Sequence, residues 1–252
     1  MKLLEVCVDS FTSAQAAVEG GADRLEVCSA LAIGGLTPYI ALVEQIKDAF
    51  DLPVRCLMRP RAGDFLYEKS ELAMLRTQIR QLAQAGADGF VIGCLTPEGE
   101  LDLDALKYLM EACGGHGLTL HRAVDVSRDP VRVWRQAGSL GIDTVLTSGG
   151  AGSCVHGMET IGKMLAARRA EGGPEVLIGA GVNAGVIRKF RGAFPDARCF
   201  HMSGKADVPS RMRFRREGVP MGLPGLDEWH ISRTSREAVR QAKEALEERK
   251  EG

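Results

Sequence analysis

The sequence predicts a single (β/α)8 barrel of the TIM type, and three observations support this fold class. Short apolar runs alternate with helical segments, which is typical of a parallel sheet covered by helices. A turn motif recurs before every second strand, and the 252 residues suit an eightfold barrel of about 250 residues. An open, doubly wound sheet is the alternative, but no dinucleotide-binding motif follows the first strand. We expect one domain over 1–252, with a long loop at 203–232 between strand 8 and the last helix.

The recurring motif consists of a helix end, a glycine, a small apolar residue, an aspartate and then a strand. Its copies read AVEGGADRLEV from Ala17, QAGADGFVI from Gln84, QAGSLGIDTVL from Gln136 and, more weakly, FPDARCF from Phe194. We expect the glycine to adopt the left-handed conformation and the aspartate to cap the turn. The strands that follow begin near Arg24, Gly89, Thr144 and Arg198. They are predicted to be the even-numbered strands of an eightfold repeat.

The odd-numbered strands are predicted in the apolar runs between these copies, at 3–8, 53–58, 117–121 and 175–179. Helical periodicity is clearest at 69–85, where one face carries Leu72, Leu75, Ile79 and Leu82. The eighth helix is predicted to begin with a capping box from Thr234 to Glu237. The segment before it, 203–232, has no strong periodicity and carries four arginines. Such a segment is typical of a lid, an interface or a disordered stretch.

The composition is that of an ordinary globular domain. A hydrophobic fraction of 45% and a formal net charge of −1 give no sign of a nucleic-acid or membrane partner. The first residues, MKLLEVCVDS, do not resemble a signal peptide, and no apolar run approaches the roughly 18 residues of a membrane span. Seven cysteines without CxxC pairs are typical of reduced thiols. We therefore predict a cytoplasmic protein, with a homodimer as the default oligomer.

Polar residues gather at the strand ends opposite the turn motif, where β/α barrels carry their active sites. They are Glu5, Cys7 and Asp9 on strand 1, Glu26 and Cys28 on strand 2, Arg59 and Arg61 after strand 3, His121 and Asp125 after strand 5, and His201 on strand 8. An isolated charge is unfavourable inside a barrel, so these groups must pair or bind a ligand. One alternative is a ring of ion pairs that joins the two glutamates to the two arginines and binds no ligand.

Glycine-rich turns after strands 6, 7 and 8 are a separate signal. Barrels often bind phosphate there through backbone N–H groups. The candidate anion cradle consists of Ser148, Gly149, Gly179, Gly181, Ser203 and Gly204, with Lys205 and Arg59 as charge partners. The alternative is that these glycines only form tight turns.

Longer motifs occur along nearly the whole chain. They are EVCVDS from Glu5, RLEVCSALAIGGLTP from Arg24, MRPRAGDFLY from Met58, LHRAVD from Leu120, VLTSGG from Val145, GAGV from Gly179, HMSGKA from His201 and SRMRFRREGVPMG from Ser210. Together they resemble the CutC copper homeostasis protein family. The resemblance implies a TIM-like barrel, a cytoplasmic location and a role in copper tolerance through copper binding. It does not imply an established reaction.

The first functional hypothesis is a Cu(I) site at the C-terminal end of the barrel. Cu(I) prefers thiolate, thioether and imidazole ligands. Cys7 and Cys28 lie at the ends of neighbouring strands, which run about 4.8 Å apart. His121 and His201 are further donors at the same end. These four residues are the predicted ligands of copper.

The competing hypothesis is a metal-independent enzyme of the lyase, isomerase or hydrolase class that acts on a small anionic metabolite, phosphorylated metabolites included. The two arginines would hold a carboxylate or phosphate through paired hydrogen bonds. A histidine would transfer a proton, with a glutamate as its partner. The catalytic candidates are Glu5, Glu26, Arg59, Arg61, His121, Asp125 and His201. A barrel kept only as an assembly scaffold is a third hypothesis, and it leaves the buried charges without a role.

Overall fold

A closed parallel barrel brings the predicted strand ends together at one mouth. The computed structural model describes residues 2–216, 218–219, 222, 225 and 227–248. The barrel strands are β1 (Leu3–Val8), β2 (Arg24–Val27), β3 (Val54–Leu57), β4 (Gly89–Ile92), β5 (Gly117–Leu120), β6 (Thr144–Thr147), β7 (Glu175–Ile178) and β8 (Cys199–Met202). Each strand pairs with the next, and β8 pairs with β1. The predicted (β/α)8 fold is therefore confirmed.

Helices cover the outside of the barrel. They are α1 (Phe11–Glu19), α2 (Ile40–Ala49), α3 (Lys69–Gln84), α4 (Leu103–Cys113), α5 (Pro130–Ser139), α6 (Met158–Glu171), α7 (Ala184–Ala193) and α8 (Arg236–Glu247). The predicted stripe on α3 buries Leu75, Ile79 and Leu82, and each such side chain contributes about 1.5–3 kcal/mol. Short 3₁₀ helices follow β2 and β5, at Leu31–Ile33 and Arg122–Val126. In the described part of the chain, no helix is long and apolar enough to span a bilayer.

The recurring turn motif ties three even-numbered strands, β2, β4 and β6, each to the strand before it, whereas Asp196 of the fourth copy pairs with Arg169. As predicted, its glycine takes a left-handed φ angle, which is 91° at Gly21, 92° at Gly86 and 84° at Gly141. The aspartate, expected to cap the turn, instead accepts the N–H at the start of the preceding strand. These bonds are 2.8 Å long and join Asp23 to Leu4, Asp88 to Val54 and Asp143 to Leu118. The motif thus satisfies N–H groups that the bottom of the barrel would otherwise leave without a partner.

The segment predicted as a long loop, 203–232, begins and ends in regular structure. Two exposed strands, β9 (Lys205–Pro209) and β10 (His230–Thr234), form an antiparallel ribbon. The ribbon faces no core, so its strands carry no apolar alternation that the sequence could have revealed. Positions 217, 220–221, 223–224 and 226 lie outside the described residues.

The eighth helix begins one residue later than predicted. Ser235 is the N-cap of α8, and its hydroxyl accepts the Ala238 N–H. Thr234 ends β10 instead, where its N–H donates to Ser13 on α1 and its hydroxyl donates to the Ser203 carbonyl. The helix starts one residue later because Thr234 is still part of β10 and is bonded to α1 and to the end of β8.

Candidate active site

A cavity of about 440 Å³ opens at the C-terminal ends of the strands, within the usual size range of metabolite pockets. Eight predicted site residues border it: Cys7, Glu26, Arg59, His121, Asp125, Gly181, His201 and Ser203. The other predicted residues do not line it, namely Glu5, Cys28, Arg61, Ser148, Gly149, Gly179 and Gly204. Arg122, which the sequence analysis did not select, also borders the cavity.

Glu5 is the buried centre of a network beneath the cavity. In the strand register it lies opposite His201 on β8 and Arg24 on β2. One carboxylate oxygen is 2.8 Å from His201 Nδ1, and the other accepts Arg24 Nε at 2.5 Å. Burial opposes ionisation, but Arg24 and the hydrogen-bonded His201 outweigh it and lower the pKa of Glu5 to about 2. Glu5 is therefore a carboxylate at neutral pH.

Glu26 on β2 is a second buried carboxyl group, and it faces the cavity. Its Oε2 atom has no hydrogen-bond partner among the described residues. Burial raises the pKa of Glu26 to about 7, and the nearby Glu5 adds to the rise although His201 and Arg24 oppose it. Glu26 thus exchanges a proton near neutral pH, while Glu5 stays ionised.

His201 completes this network at the seam between β8 and β1. Burial lowers its pKa, but Cys7 and Glu26, together with the hydrogen bond to Glu5, raise the pKa of His201 well above 6.5. The imidazole is therefore protonated at neutral pH, and Nδ1–H donates to Glu5. Donor atoms of Glu5, Glu26 and His201 lie within 4.8 Å of one another. Since Arg24 and the internal hydrogen bond already engage Glu5, we describe the trio as a proton network and not as a metal centre.

His121 is held in the opposite protonation state. Burial, with a contribution from Arg59, lowers its pKa to about 3, so the ring is neutral. Nδ1 accepts the Ala123 N–H at 3.2 Å, which leaves the proton on Nε2. That Nε2 atom is buried without a partner in the described structure. His121 therefore offers a hydrogen-bond donor to a ligand.

The His121 ring fits between Phe65 and a glycine that the sequence analysis did not select. The ring centroids of Phe65 and His121 are 4.8 Å apart. On β4's end, a Cβ atom at Gly93 would lie 2.4 Å from the Cε1 atom of His121. Only a glycine at this position leaves room for the ring.

Arg59 borders the cavity but binds the protein's own backbone. Its guanidinium donates to the carbonyls of Ile33, Gly35 and Gly63, each at 3.0 Å. The Nε atom is buried and has no partner among the described residues. Arg59 therefore holds the loops after β2 and β3 in place. Its two terminal nitrogens are already engaged, so it cannot bind a carboxylate through paired N–H groups.

Arg61 lies outside the cavity, so the predicted clamp of Arg59 and Arg61 does not form. Its guanidinium pairs with Glu71 at 2.7 Å and with Asp64 at 3.0 Å, and it lies 5.6 Å from the ring centroid of Tyr67. The alternative prediction joined the two glutamates to Arg59 and Arg61 in ion pairs. It is also wrong, because Glu5 pairs with Arg24.

Asp125 fills the turn that was predicted to cradle an anion. Its carboxylate accepts the N–H groups of Ser148 and Gly150 and the hydroxyls of Thr147 and Ser148, at 2.6–3.1 Å. The Gly149 N–H donates to Thr147 Oγ1 at 2.8 Å. The turn after β6 therefore binds an internal carboxylate in place of a phosphate, and Asp125 is fixed by these bonds.

Arg122 borders the cavity, which Arg61 does not reach. It pairs with Asp125 at 2.8 Å and donates to Ser148 Oγ at 2.9 Å, and its side chain is 44% exposed. The exposed part of the guanidinium can meet an incoming anion. The sequence signal was its position directly after His121.

The turn after β7 leaves N–H groups at the cavity. Ala180 and Gly181 border it with φ angles of 74° and 84°. A positive φ at an alanine costs of order 1–3 kcal/mol and is typical of functional sites. The N–H groups of Gly181 and Val182 donate to no partner in the described structure. By contrast, the Gly179 N–H donates to the Thr147 carbonyl.

The turn after β8 contributes less than predicted. Ser203 borders the cavity, whereas Gly204 packs toward Val239 and its carbonyl accepts the Ser235 N–H. Of the six predicted cradle residues, Gly181 and Ser203 therefore reach the cavity.

Cys28 does not border the cavity. It is fully buried beside Leu57 and Val91, and its thiol donates to the Val8 carbonyl at 3.5 Å. Burial first, and then the neighbouring Cys7 and Glu26, raise the pKa of Cys28 well above 9.0. The thiol is therefore protonated at neutral pH.

A Cu(I) ion bound by the four predicted ligands would have to displace protons. Copper(I) coordinates thiolates and unprotonated imidazole nitrogens. Cys28 is a buried thiol, His121 carries its proton on the free Nε2, and His201 is protonated. Three of the predicted donors, Cys7, His121 and His201, border the cavity, whereas Cys28 does not.

Comparisons with known proteins agree on one family. The CutC family model matches residues 2–204. A family protein CutC of Xanthomonas campestris pv. campestris (strain 8004) is 42% identical over 209 residues, which cover 83% of this chain and 86% of the relative. A family protein CutC of Klebsiella pneumoniae (strain 342) is 37% identical over 244 residues, which cover 96% of this chain and 97% of the relative.

Solved structures agree with the fold. A crystal structure of a CutC protein from Streptococcus agalactiae, whose description proposes a role in copper homeostasis, matches with a TM-score of 0.75 and 25% identity. The match covers 81% of this chain and 99% of that chain. N-(5'-phosphoribosyl)anthranilate isomerase from Pyrococcus furiosus matches with a TM-score of 0.55 and 14% identity over 98% of both chains. At that identity the likeness shows the fold alone.

Proposed function

The chain belongs to the CutC family, and from this premise we propose that it is an enzyme that transfers protons on a small anionic metabolite at the barrel mouth. The pair of Glu26 and His201 carries this proposal. Both groups face one cavity in different proton states, because Glu26 has a pKa of about 7 and His201 is an imidazolium. Neighbouring groups tuned in this way are typical of acid–base catalysis. His201 is the proposed acid and Glu26 the proposed base.

The charges around the cavity support an anionic ligand. Glu5 is balanced by Arg24, and Asp125 is balanced by Arg122 and by backbone donors. Arg59 and the imidazolium of His201 remain as cations at the cavity, beside Glu26, which is uncharged while it holds its proton. A small anion would complete the balance and would meet the exposed part of Arg122.

Unused donors at the cavity support the same proposal. His121 Nε2–H and the Gly181 N–H lack partners among the described residues. The His121 donor is buried, and an unpaired buried donor costs about 1–3 kcal/mol, whereas Gly181 is exposed to solvent. A carboxylate or phosphate oxygen would accept from these groups and recover part of that cost. The donors therefore favour a ligand with several acceptor oxygens, which includes phosphate monoesters.

Calorimetric titration with inorganic phosphate, glycerol 3-phosphate and malonate tests this proposal, with glycerol as the uncharged control. We expect one of the anions to bind, and Arg122→Gln to weaken its binding about tenfold or more, or about 1.4 kcal/mol. Arg61→Gln is the matched control, because Arg61 lies outside the cavity. If no anion binds, or if both variants lose affinity equally, the proposal fails.

Copper binding is the second candidate function. The description of the Streptococcus agalactiae relative names copper homeostasis, and Cys7 places one soft donor at the cavity beside His201. An anaerobic Cu(I) titration against a chromophoric chelator, with Cys7→Ser and Cys28→Ser, separates the two candidates. Tight binding in a one-to-one ratio that both substitutions abolish would support a copper protein. We expect weak binding that Cys28→Ser leaves unchanged.

Location and assembly remain predictions. All seven cysteines are free and buried, which agrees with a reducing compartment such as the cytoplasm. A homodimer is our proposal for the assembly on the general prevalence of twofold symmetry, and sedimentation velocity would measure it.

A further inference from the structure

One cysteine differs from the others in its surroundings. Cys7 is 6% exposed and borders the cavity, and no other cysteine in the described structure does so. Burial is the first cause that raises the pKa of each of the other six thiols, so they are protonated at neutral pH. They are Cys28, Cys56, Cys94, Cys113, Cys154 and Cys199.

The strand register places Cys7 between the acid–base groups. On β1, Glu5 lies opposite His201 and Cys7 lies opposite Glu26. Glu5 and Cys7 are two residues apart, so their side chains point to the same face of the strand. Cys7 therefore lies beside Glu26 on β2, and His201 on β8 is two residues back along the same face.

His201 links the thiol to a buried carboxylate. Glu5 binds Nδ1 of His201 at 2.8 Å. His201 and Cys7 border the same cavity, and the nearby Cys7 raises the pKa of His201. Since Nδ1 is engaged, Nε2 is the ring atom that remains for a group at the cavity. A nucleophile, a base and a third group that orients the base are thereby arranged in series.

We propose that Cys7 is a nucleophile activated by His201, which Glu5 holds in position. The inference rests on the proposed active site and adds covalent catalysis to it. Cys28 and His201 interact with Cys7, and Glu26 lies opposite it on β2. Glu5, on the same face of β1, is paired with Arg24. Of these, His201 favours the thiolate directly, and an ionised Glu26 opposes it.

The proposed substrate class is a small anionic aldehyde or ketone. The thiolate sulfur of Cys7 adds to the carbonyl carbon, so that a C–S bond forms and the C=O π pair moves to oxygen. That oxygen takes the proton from Nε2 of His201, which becomes neutral. The product is a covalent thiohemiacetal or thiohemiketal, and the reverse step restores the thiolate and the imidazolium. No oxidant or reductant takes part.

Alkylation of the folded full-length protein by iodoacetamide tests the inference without a substrate. In this reaction a C–S bond forms and iodide leaves, and mass spectrometry of peptides assigns the rate to each cysteine. We expect Cys7 to react about tenfold or more faster at pH 6.5 than each of the other six, because reactivity follows the thiolate. Its rate should persist below about pH 8.5, where an ordinary thiol becomes protonated.

Two variants identify the source of this reactivity. His201→Gln should slow the alkylation of Cys7 at pH 6.5 by about tenfold and move its pH profile to that of an ordinary thiol. Cys28→Ser, the control, should leave the profile unchanged. The wild-type pH profile decides the question even where His201→Gln does not fold. An ordinary profile in the wild type, or an unchanged one in folded His201→Gln, overturns the inference.

The alkylation and anion-binding experiments can refute the two proposals independently. If an anion binds at Arg122 while Cys7 reacts as an ordinary thiol, the nucleophile is refuted and the proposed acid–base site stands. If Cys7 is selectively reactive and no anion binds, the nucleophile stands and the proposed substrate charge is refuted.

Discussion

Glu5 binds His201 across the seam that closes the barrel, with 2.8 Å between Oε1 and Nδ1 and 196 residues between them in sequence. The same carboxylate accepts the Arg24 guanidinium from the other neighbouring strand. One buried anion thus joins β8, β1 and β2. Because the group that closes the barrel also orients the proposed acid, stability and site geometry depend on the same contacts.

Glu5→Gln should destabilise the protein by about 3–5 kcal/mol, because it leaves Arg24 buried without its counterion. Urea unfolding at pH 7 would measure the loss. Glu159→Gln is the control, since its exposed pair with Lys163 should contribute nothing measurable. A Glu5→Gln protein as stable as the wild type would contradict the assignment of Glu5 as the buried anion of the seam.

Glu26 should make the protein less stable as the pH rises. Its pKa is raised from 4.5 to about 7, so the folded state holds a proton that the unfolded state releases. Its contribution is fully present below pH 4.5 and is lost as the pH rises through about 7. At roughly 1.4 kcal/mol per pH unit, the loss approaches about 3 kcal/mol.

Glu26→Gln should remove this dependence, because glutamine has no proton to lose. Urea unfolding at pH 5, 6, 7 and 8 would compare the two proteins. We expect the variant to gain stability relative to the wild type across this range. Curves that stay parallel would show that Glu26 is already ionised in the folded protein.

Much of the fold could be predicted because the turn motif is local. A glycine with positive φ and an aspartate that binds the preceding strand recur at Gly21–Asp23, 86–88 and 141–143. Each copy marks the start of an even-numbered strand. The alternation of side chains along each short strand then predicted which residues lie at the C-terminal end of the barrel.

The partners at the site could not be predicted because the alternation ends with the strand. Since β3 ends at Leu57 and β2 ends at Val27, loop geometry sets the side chains of Arg61 and Cys28, and neither borders the cavity. Arg24 is the first residue of β2, two residues before Glu26. This spacing was the available signal, because it puts both side chains on the same face of the strand. Its pairing with Glu5 depends on the stagger of neighbouring strands, which no local pattern fixes.

Gly93→Ala should disturb the site through His121. The added methyl group would lie 2.4 Å from Cε1 of the ring, and overpacking of this kind costs about 1–3 kcal/mol. Gly152→Ala is the matched control, because nothing lies within 4 Å of its Cβ position. Thermal unfolding should show a loss for the first variant alone. Equal stabilities of the two variants would mean that the His121 ring can move to avoid the added methyl group.

Asp125→Ala should empty the turn after β6 and leave its donors without an acceptor. The carboxylate now accepts the Ser148 and Gly150 N–H groups and the Thr147 hydroxyl. Its loss should cost about 2–4 kcal/mol, since hydrogen bonds to a charged group contribute roughly 1.5–3 kcal/mol each and water replaces part of them.

Formate should restore part of the stability of Asp125→Ala. The freed N–H groups form a concave anion site of the kind that the glycine-rich turn predicted, and formate supplies a carboxylate of the size that was removed. Unfolding of variant and wild type in sodium formate, against equal sodium chloride, would measure the rescue. A gain confined to the variant and to formate identifies the turn as an anion cradle that Asp125 fills. Equal gains in both salts would instead mean that ionic strength, and no bound carboxylate, stabilises the variant.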